Sequence, residues 1–373
     1  MTKNTHSYFK LASIITIGFS FVAILLFVGL GRVSFDNILG RFGSVLGIQT
    51  SRDKQEMLLV AKAIKDADSL LSSTPNPVKN IKMTTLANDP ERIKTVKSLK
   101  DMDSLYKFSY AYKQTQDKKY LDKATEFLLA WANTNVANAS PVDEGHLQKL
   151  FEGYEWIKSS VGDDDRKIID IWLRTIAEKE MKSIYKDDRD INNWNSHRIN
   201  IVGQIGYLLN DQNYINYATV SFKEQVQNNL YSNGSSFDFV TRDALHYHSF
   251  NLWALLFFAK TSAIHGVNLY SFESKSGSSL EKSVHFLYPY FNSEKTHLEF
   301  VNSTVAWDTT SGSKKLSASD AKKWNPKEDL YILELAYFFD KNALPIIQKI
   351  TMNKTDYPSL EVLINYQLKN EIR

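Results

Sequence analysis

The sequence contains no cysteine. That removes a disulfide framework, a thiol nucleophile, an iron–sulfur cluster and any zinc site built on thiolates. It also lacks a dominant charge: 45 Lys+Arg stand against 42 Asp+Glu, a formal net charge of +3, with no block of one sign. A polybasic surface is therefore absent, and nucleic acid is not an expected partner. What is present is globular in kind. Hydrophobic residues make up 43% and charged residues 23% of the 373, which excludes a disordered or collagen-like chain. The 7 Trp, 19 Tyr and 21 Phe suit a helical core and equally a sugar-stacking cleft, so composition leaves both open.

One stretch is free of charge. Residues 11–31 read LASIITIGFSFVAILLFVGLG, with Lys3 and Lys10 before them and Arg32 after. About 20 apolar residues are enough to span a bilayer, and this run exceeds the apolar core of a cleaved signal peptide. The expectation is a signal-anchor, with a signal peptide cleaved near Gly29-Leu30-Gly31 as the alternative. Residues 1–10 then form a cytoplasmic tail, 32–50 a linker, and 51–373 the working domain outside the cytoplasmic membrane. The membrane becomes a partner through this one helix.

Beyond it, apolar spacing of three and four recurs over residues 56–71, 105–112, 120–132, 147–157, 168–184, 199–209 and 245–264. Pro75, Pro77, Pro90, Pro141, Pro289 and Pro326 fall between such segments, where they start or end helices. Strand-like alternation is confined to short pieces such as residues 297–305. The pattern also repeats. Asp117, Tyr120 and Ala124 follow one helix as Asp211, Tyr214 and Ala218 follow another, and Asp340 with Ala343 is a weaker third copy. In each, Asp caps the next helix, and the later residues pack back on the preceding one. Helical hairpins that cannot bury themselves alone imply a stacked or toroidal all-α array, an (α/α) toroid.

Two polar clusters interrupt this array. The first runs Asn192-Asn193-Trp194-Asn195-Ser196-His197-Arg198, ahead of an apolar helix. Asn and Ser at a helix start serve as caps, but a Trp, a His and an Arg are more than a cap requires. A helix starting near Trp194 puts Asn193 and His197 one turn apart on one face. The second cluster holds Asp238, Arg242, Asp243, His246, Tyr247 and His248, entering the helix that runs towards His265. A metal bound by His197, His246 and His248 is a rival reading. Residues 246 and 248 diverge by roughly 200° on a helix, so they converge poorly on one ion, and no metal or other cofactor is expected.

The runs NNWNSHRINIVGQIGYLLND and SSFDFVTRDALHYHSFNLWALLFFAKTSAIHGVNLY resemble the alginate lyase family of polysaccharide lyases. The resemblance extends to LYKFSYAYKQTQDKKYLDKATEFLLAWANTN and SPVDEGHLQKLFEGYEWIK upstream, and to HLEFVNSTVAWD and WNPKEDLYILELAYFFD downstream. It covers most of residues 85–340, in order. It implies an (α/α) toroid whose cleft takes an anionic uronate chain, and β-elimination as the reaction. Two departures are visible. Mannuronate lyases of the family place His directly after the catalytic Asn, whereas Trp194 follows Asn193 here and the His comes at 197. Many members carry an aromatic lid, whereas residues 75–95 contain no Tyr or Trp.

Uronate elimination requires loss of a weakly acidic C5 proton beside a carboxylate, so neutralising that carboxylate stabilises the enolate-like intermediate. On this reading Asn193 donates its amide to the carboxylate and Arg242 offers a fork. His197, neutral near pH 7, is the candidate base, and by resemblance Tyr247 is the acid. Tyr247 could serve as both if base and acid act on one face of the sugar. Asn192, Trp194 and Arg198 are expected to bind substrate; of His246 and His248, one is expected to bind substrate and the other to pack. Two other functions compete. A glycoside hydrolase on the same architecture would need two opposed carboxylates. A non-catalytic envelope protein would hold an exopolysaccharide without cutting it.

Overall fold

The computed structural model describes residues 51–183, 185–315, 318–352 and 358–371. The expected membrane segment, residues 11–31, and the tail and linker around it lie outside them. Among the described residues, no helix is long and apolar enough to cross a membrane.

Every stretch with apolar spacing of three and four overlaps a helix. In chain order these are α1 (Ser51–Asp68), α2 (Pro90–Ser98), α3 (Lys100–Thr115), α4 (Lys118–Thr134), α5 (Pro141–Glu144), α6 (Gln148–Ile157), α7 (Asp163–Lys182) and α8 (Asn193–Leu209). They continue as α9 (Gln212–Asn229), α10 (Phe237–Arg242), α11 (Leu245–Ile264), α12 (Leu280–Phe291), α13 (Ala306–Thr310), α14 (Tyr331–Ala336), α15 (Ala343–Thr351) and α16 (Leu360–Glu371). Among the described residues there is no named strand, only the isolated bridges Leu230–Ser236 and Leu298–Lys323.

The repeat read from sequence has a structural counterpart. Asp117 accepts from the Lys119 N–H at the start of α4, and Asp211 does the same from Asn213 at the start of α9. Tyr120, Ala124, Tyr214 and Ala218 are buried against the preceding helices. The third copy is looser: Asp340 accepts from Asn342, one residue ahead of α15, and Ala343 is fully buried.

These hairpins succeed one another round a ring. Helix α3 packs on α6, α6 on α8, α8 on α11, α11 on α14 and α14 on α16, while α4, α7, α9, α12 and α15 back them from outside. Helix α8 is the wall between two apolar cores. Ile201, Val202 and Ile205 join the core around α3, α4, α6 and α7, and Ile199 joins the one around α9, α11 and α12. Gly203 permits the close α8–α11 crossing, since a Cβ there would collide with the Phe258 ring.

The ring closes through polar groups. Tyr106 of α3 donates to Glu361 of α16 at 2.9 Å, and Tyr110 donates to Gln367 at 2.9 Å. Lys260 of α11 is 1% exposed and sits 2.7 Å from Glu152 of α6 and 2.8 Å from Glu361. Burial alone would draw its ammonium down, but the Glu152 and Glu361 carboxylates hold it above its ordinary value.

Two sequence expectations are corrected. Residues 297–305 form no named strand; they make a strap of turns whose backbone bonds go partly to Lys322 and Trp324, around the Leu298 bridge, and partly to Thr241 and Asp243 at the end of α10. Pro289 lies inside α12, in its last turn, where the helix loses only the bond that its missing N–H would have made.

Lys260→Met leaves two buried glutamates without their counter-ion, which costs about 3–5 kcal/mol. Denaturant unfolding of the described domain measures this, and a loss near zero contradicts the closure account.

Candidate active site

The junction between α10 and α11 is built around two residues in left-handed backbone. Asp243 ends α10 at φ 49°, and Phe300 of the strap has φ 67°. Neither is glycine, so each is held against a backbone preference of roughly 1–2 kcal/mol. The strap supplies the restraint. The Phe300 N–H donates to the Asp243 carbonyl at 2.7 Å, and Asn302 donates to the Asp243 carboxylate from its backbone N–H at 2.8 Å and its side chain at 2.9 Å. Glu299, 4% exposed, accepts from the N–H groups of Leu245 and His246 and so caps α11. A carboxylate at a helix start also complements the dipole there.

The two polar clusters meet at Asp238. Its Oδ1 accepts from Asn193 twice, from the backbone N–H at 3.0 Å and the side-chain amide at 2.6 Å, and its Oδ2 accepts from Asn229 at 2.8 Å. Burial pushes its carboxyl above the usual range, and these bonds oppose that push. One amide hydrogen of Asn193 is thereby committed, and the residue itself is 2% exposed, nearly as buried as the carboxylate it binds. Asn229 in turn accepts from Asn251, which accepts from Ser196. Asn192 is the cap of α8, accepting from the Trp194 N–H.

One turn beyond Asp238, Arg242 lies flat against Tyr247, its guanidinium carbon 3.3 Å from the ring centroid. Its Nε donates to Asp308 at 3.1 Å and its Nη2 donates to the same carboxylate. Asp308 is fully buried. This corrects the expectation of a free fork: the Nε–Nη2 edge is already taken, and Nη1 is what Arg242 has left. Burial raises the Tyr247 phenol above its ordinary value, opposed by Arg242 and assisted by Asp308 and Asp238. Tyr247 is therefore a protonated group at neutral pH.

His197 shares its helix face with Asn193 but is fully buried. Its ring packs 4.3 Å from Phe250 and 5.7 Å from Trp253, and neither nitrogen has a hydrogen-bond partner. A Cβ on Gly145 would come within 2.6 Å of its Nδ1, so only glycine leaves room for this ring. Burial, reinforced by His146, lowers its pKa to about 3. As placed, it has no path to a substrate proton, which speaks against the base role expected of it. Half-buried His146 stands 5.8 Å from Trp253, with its pKa lowered by burial to about 4.

The other histidines part company. His248 is fully buried, with Nδ1 on the Ser236 hydroxyl at 2.8 Å and Nε2 on the Ser283 carbonyl at 3.1 Å. It is the packing member of the pair, not a substrate contact: both nitrogens are spent on holding α10 and α12 together. His246 points outward, about half exposed, with Nδ1 3.3 Å from Asp329. Trp194 and Arg198 lie on the next face of α8 and pack on Tyr185, apart from the Arg242–Tyr247 pair. The three imidazoles do not converge, and among the described residues no group of three or more His, Asp or Glu could hold a metal ion.

Sequence reading gave no role to Asp308, Asp329, Glu299, Phe250 or Trp253. Their only signal was position within the quoted runs HLEFVNSTVAWD, WNPKEDLY and HYHSFNLW.

The family model described as Alginate lyase matches residues 48–297. No curated protein sequence matches the chain significantly. Among solved structures, an alginate lyase from Bacteroides ovatus is similar at TM-score 0.58 and 20% identity, over 82% of this chain and 92% of that one. Alginate lyase A1-III from Sphingomonas species A1 is similar at TM-score 0.55 and 17% identity, over 75% and 88%. A tetrasaccharide complex of A1-III reaches TM-score 0.52 at 18% identity, over 62% and 72%.

The buried imidazole gives a prediction with a sign. Between the unfolded value near 6.5 and about 3, the unfolded chain binds a proton that native His197 refuses. His197 therefore favours unfolding progressively as pH falls through that window. The stability difference between the native chain and His197→Phe should shift against the native chain by up to about 1.4 kcal/mol per pH unit below 6.5. Denaturant curves at several pH values measure this, and a constant difference contradicts the buried neutral ring.

Proposed function

The chain belongs to the alginate lyase family, and from that membership we propose that it cleaves a uronic-acid-containing polysaccharide, alginate or a related exopolysaccharide, by β-elimination. The observation that carries the reading is the Arg242–Tyr247 stack, which lies one turn of α10 beyond the Asp238 carboxylate that binds Asn193. Nη1 of Arg242 pairs with the C6 carboxylate, with the amide of Asn193, 2% exposed, behind it, and neutralising that carboxylate lowers the cost of removing the C5 proton. The Tyr247 hydroxyl protonates O4 as the C4–O4 bond breaks and the C4=C5 double bond forms. The raised phenol favours this role, because a proton donor must hold its proton until the leaving oxygen needs it. The tetrasaccharide held by a structural relative supports an oligosaccharide-sized cleft here.

The hydrolase alternative is weaker on chemistry. It needs two available carboxylates. Asp238, Asp308, Glu299 and Asp329 are 1%, 0%, 4% and 1% exposed, and each accepts hydrogen bonds from neighbouring protein groups. The uncharged stretch 11–31 supports export, with the catalytic domain on the outer side of the cytoplasmic membrane.

A panel of uronate polymers, read by the ultraviolet absorbance of an unsaturated uronate end, tests the proposal. One polymer should give that signal, and Tyr247→Phe should reduce its turnover by about 10²–10⁴-fold with little change in binding. New reducing ends without the absorbance, or near-normal turnover in Tyr247→Phe, overturn it.

A further inference from the structure

A lyase site needs a group to receive the C5 proton, and the expected one, His197, is sealed behind Phe250 and Trp253. We propose that His246, oriented by the buried carboxylate of Asp329, is the catalytic base. This rests on the lyase reading above.

The geometry is that of an imidazole held by one nitrogen and open at the other. Asp329 is 1% exposed, and its carboxylate accepts from Trp324 Nε1 at 2.7 Å and from the Tyr331 hydroxyl at 3.3 Å. An ionised carboxylate only accepts, so the third partner, His246 Nδ1 at 3.3 Å, carries the hydrogen. Neutral His246 is thereby fixed in one tautomer, with the Nε2 lone pair directed away from Asp329. The side chain is 51% exposed. Its ring centroid is 5.4 Å from that of Tyr247, and it stacks on Phe250 at 6.3 Å and 16°. Its backbone N–H is pinned by Glu299, so both ends of the residue are held.

The charged surroundings support proton acceptance. Asp329, Glu299 and Glu328 face the ring as anions, Arg242 opposes them as a cation, and Tyr247 and Tyr331 flank it as phenols. Partial loss of solvent around the ring lowers its pKa, the hydrogen bond to Asp329 raises it, and the net direction is upward. His146 and His197 go the other way, to about 4 and about 3, which makes them poor bases. Asp329 is accordingly a positioning residue, acting through His246.

The proton balance closes without any co-reactant. The C5 proton passes to His246 Nε2, leaving an imidazolium paired with Asp329. The C5 electron pair forms the C4=C5 bond, and the C4–O4 pair leaves with O4, which takes the Tyr247 proton. The imidazolium proton then returns to the phenolate through solvent, restoring both groups.

The test pairs spectroscopy with kinetics. His246 is followed by NMR of its Cε1–H, assigned with His246→Gln, in the native chain and in Asp329→Asn. On the polymer that gives unsaturated product, kcat/KM is measured against pH for all three proteins. The proposal expects the His246 midpoint to fall in Asp329→Asn and the acid limb of kcat/KM to fall with it. It expects His246→Gln to lose about 10²–10⁴-fold in kcat with KM nearly unchanged. A midpoint that falls while the limb stays put overturns the proposal and leaves the lyase reading standing. So does a normal kcat in His246→Gln, which alters an exposed side chain and decides the matter if Asp329→Asn fails to fold. Absence of unsaturated product from the native chain on every polymer removes the lyase reading and this proposal together.

Discussion

The carboxylate of Asp238 is the interaction on which the site depends. It lies where the start of α8, the end of α9 and the short helix α10 come together, buried to 1% exposure. Three donors from two helices point at it, and no water is needed to satisfy them. An unpaired carboxylate at that depth would cost several kcal/mol, so the three elements are obliged to meet in one register. That register sets the direction of the remaining Asn193 hydrogen. It also sets where α10 delivers Arg242, one turn further on. The strap and α13 then complete the arrangement, since Asp308 of α13 fixes the guanidinium and Glu299 of the strap fixes the first turn of α11. Asn193, Arg242 and the start of α11 are thus held by carboxylates that are themselves buried.

How much of this could be read beforehand follows from where the information sits. Helices were legible because their signal is local: apolar period, Asp caps and the Asp-Tyr-Ala echo all lie within a few residues. The two polar clusters, some 45 residues apart in sequence, are linked by the Asn193–Asp238 bonds, and no local pattern announces that pairing. Orientation was not legible. Nothing in a run such as His246-Tyr247-His248 says that one imidazole turns inward to Ser236 and Ser283 while the other turns outward to Asp329. The partners are equally silent: Asp308 lies 66 residues from Arg242, and Asp329 lies 83 from His246. The alternation over residues 297–305 misled for a related reason. Apolar and polar residues do alternate there, but pairing with residues 322–324 stops at one bridge, and the groups that follow bind Thr241 and Asp243 at the end of α10.

The same economy of buried charge shapes the whole ring. Lys260 joins α6, α11 and α16 much as Asp238 joins α8, α9 and α10. In both places one charged group is satisfied by several helices at once, and removing it strands more than one partner. Hydrophobic burial supplies the bulk of the stabilisation, but it is tolerant of small shifts in register. The buried ionic centres are not, and they coincide with the seams of the helical array. That is how an all-α scaffold with permissive apolar faces can hold a phenol, an amide and a guanidinium in fixed relation.

The account stands or falls on whether the glycosidic bond is broken by elimination. Cleavage of the active polymer in heavy-oxygen water, followed by mass analysis of the fragments, measures this most directly. Elimination takes no oxygen from solvent, so fragments trapped by borohydride reduction before their reducing ends exchange should lack the label, and each cut should leave one dehydrated, unsaturated end. One labelled oxygen per cut, with fully hydrated ends, would mean hydrolysis and would contradict the roles given to Asn193, Arg242 and Tyr247.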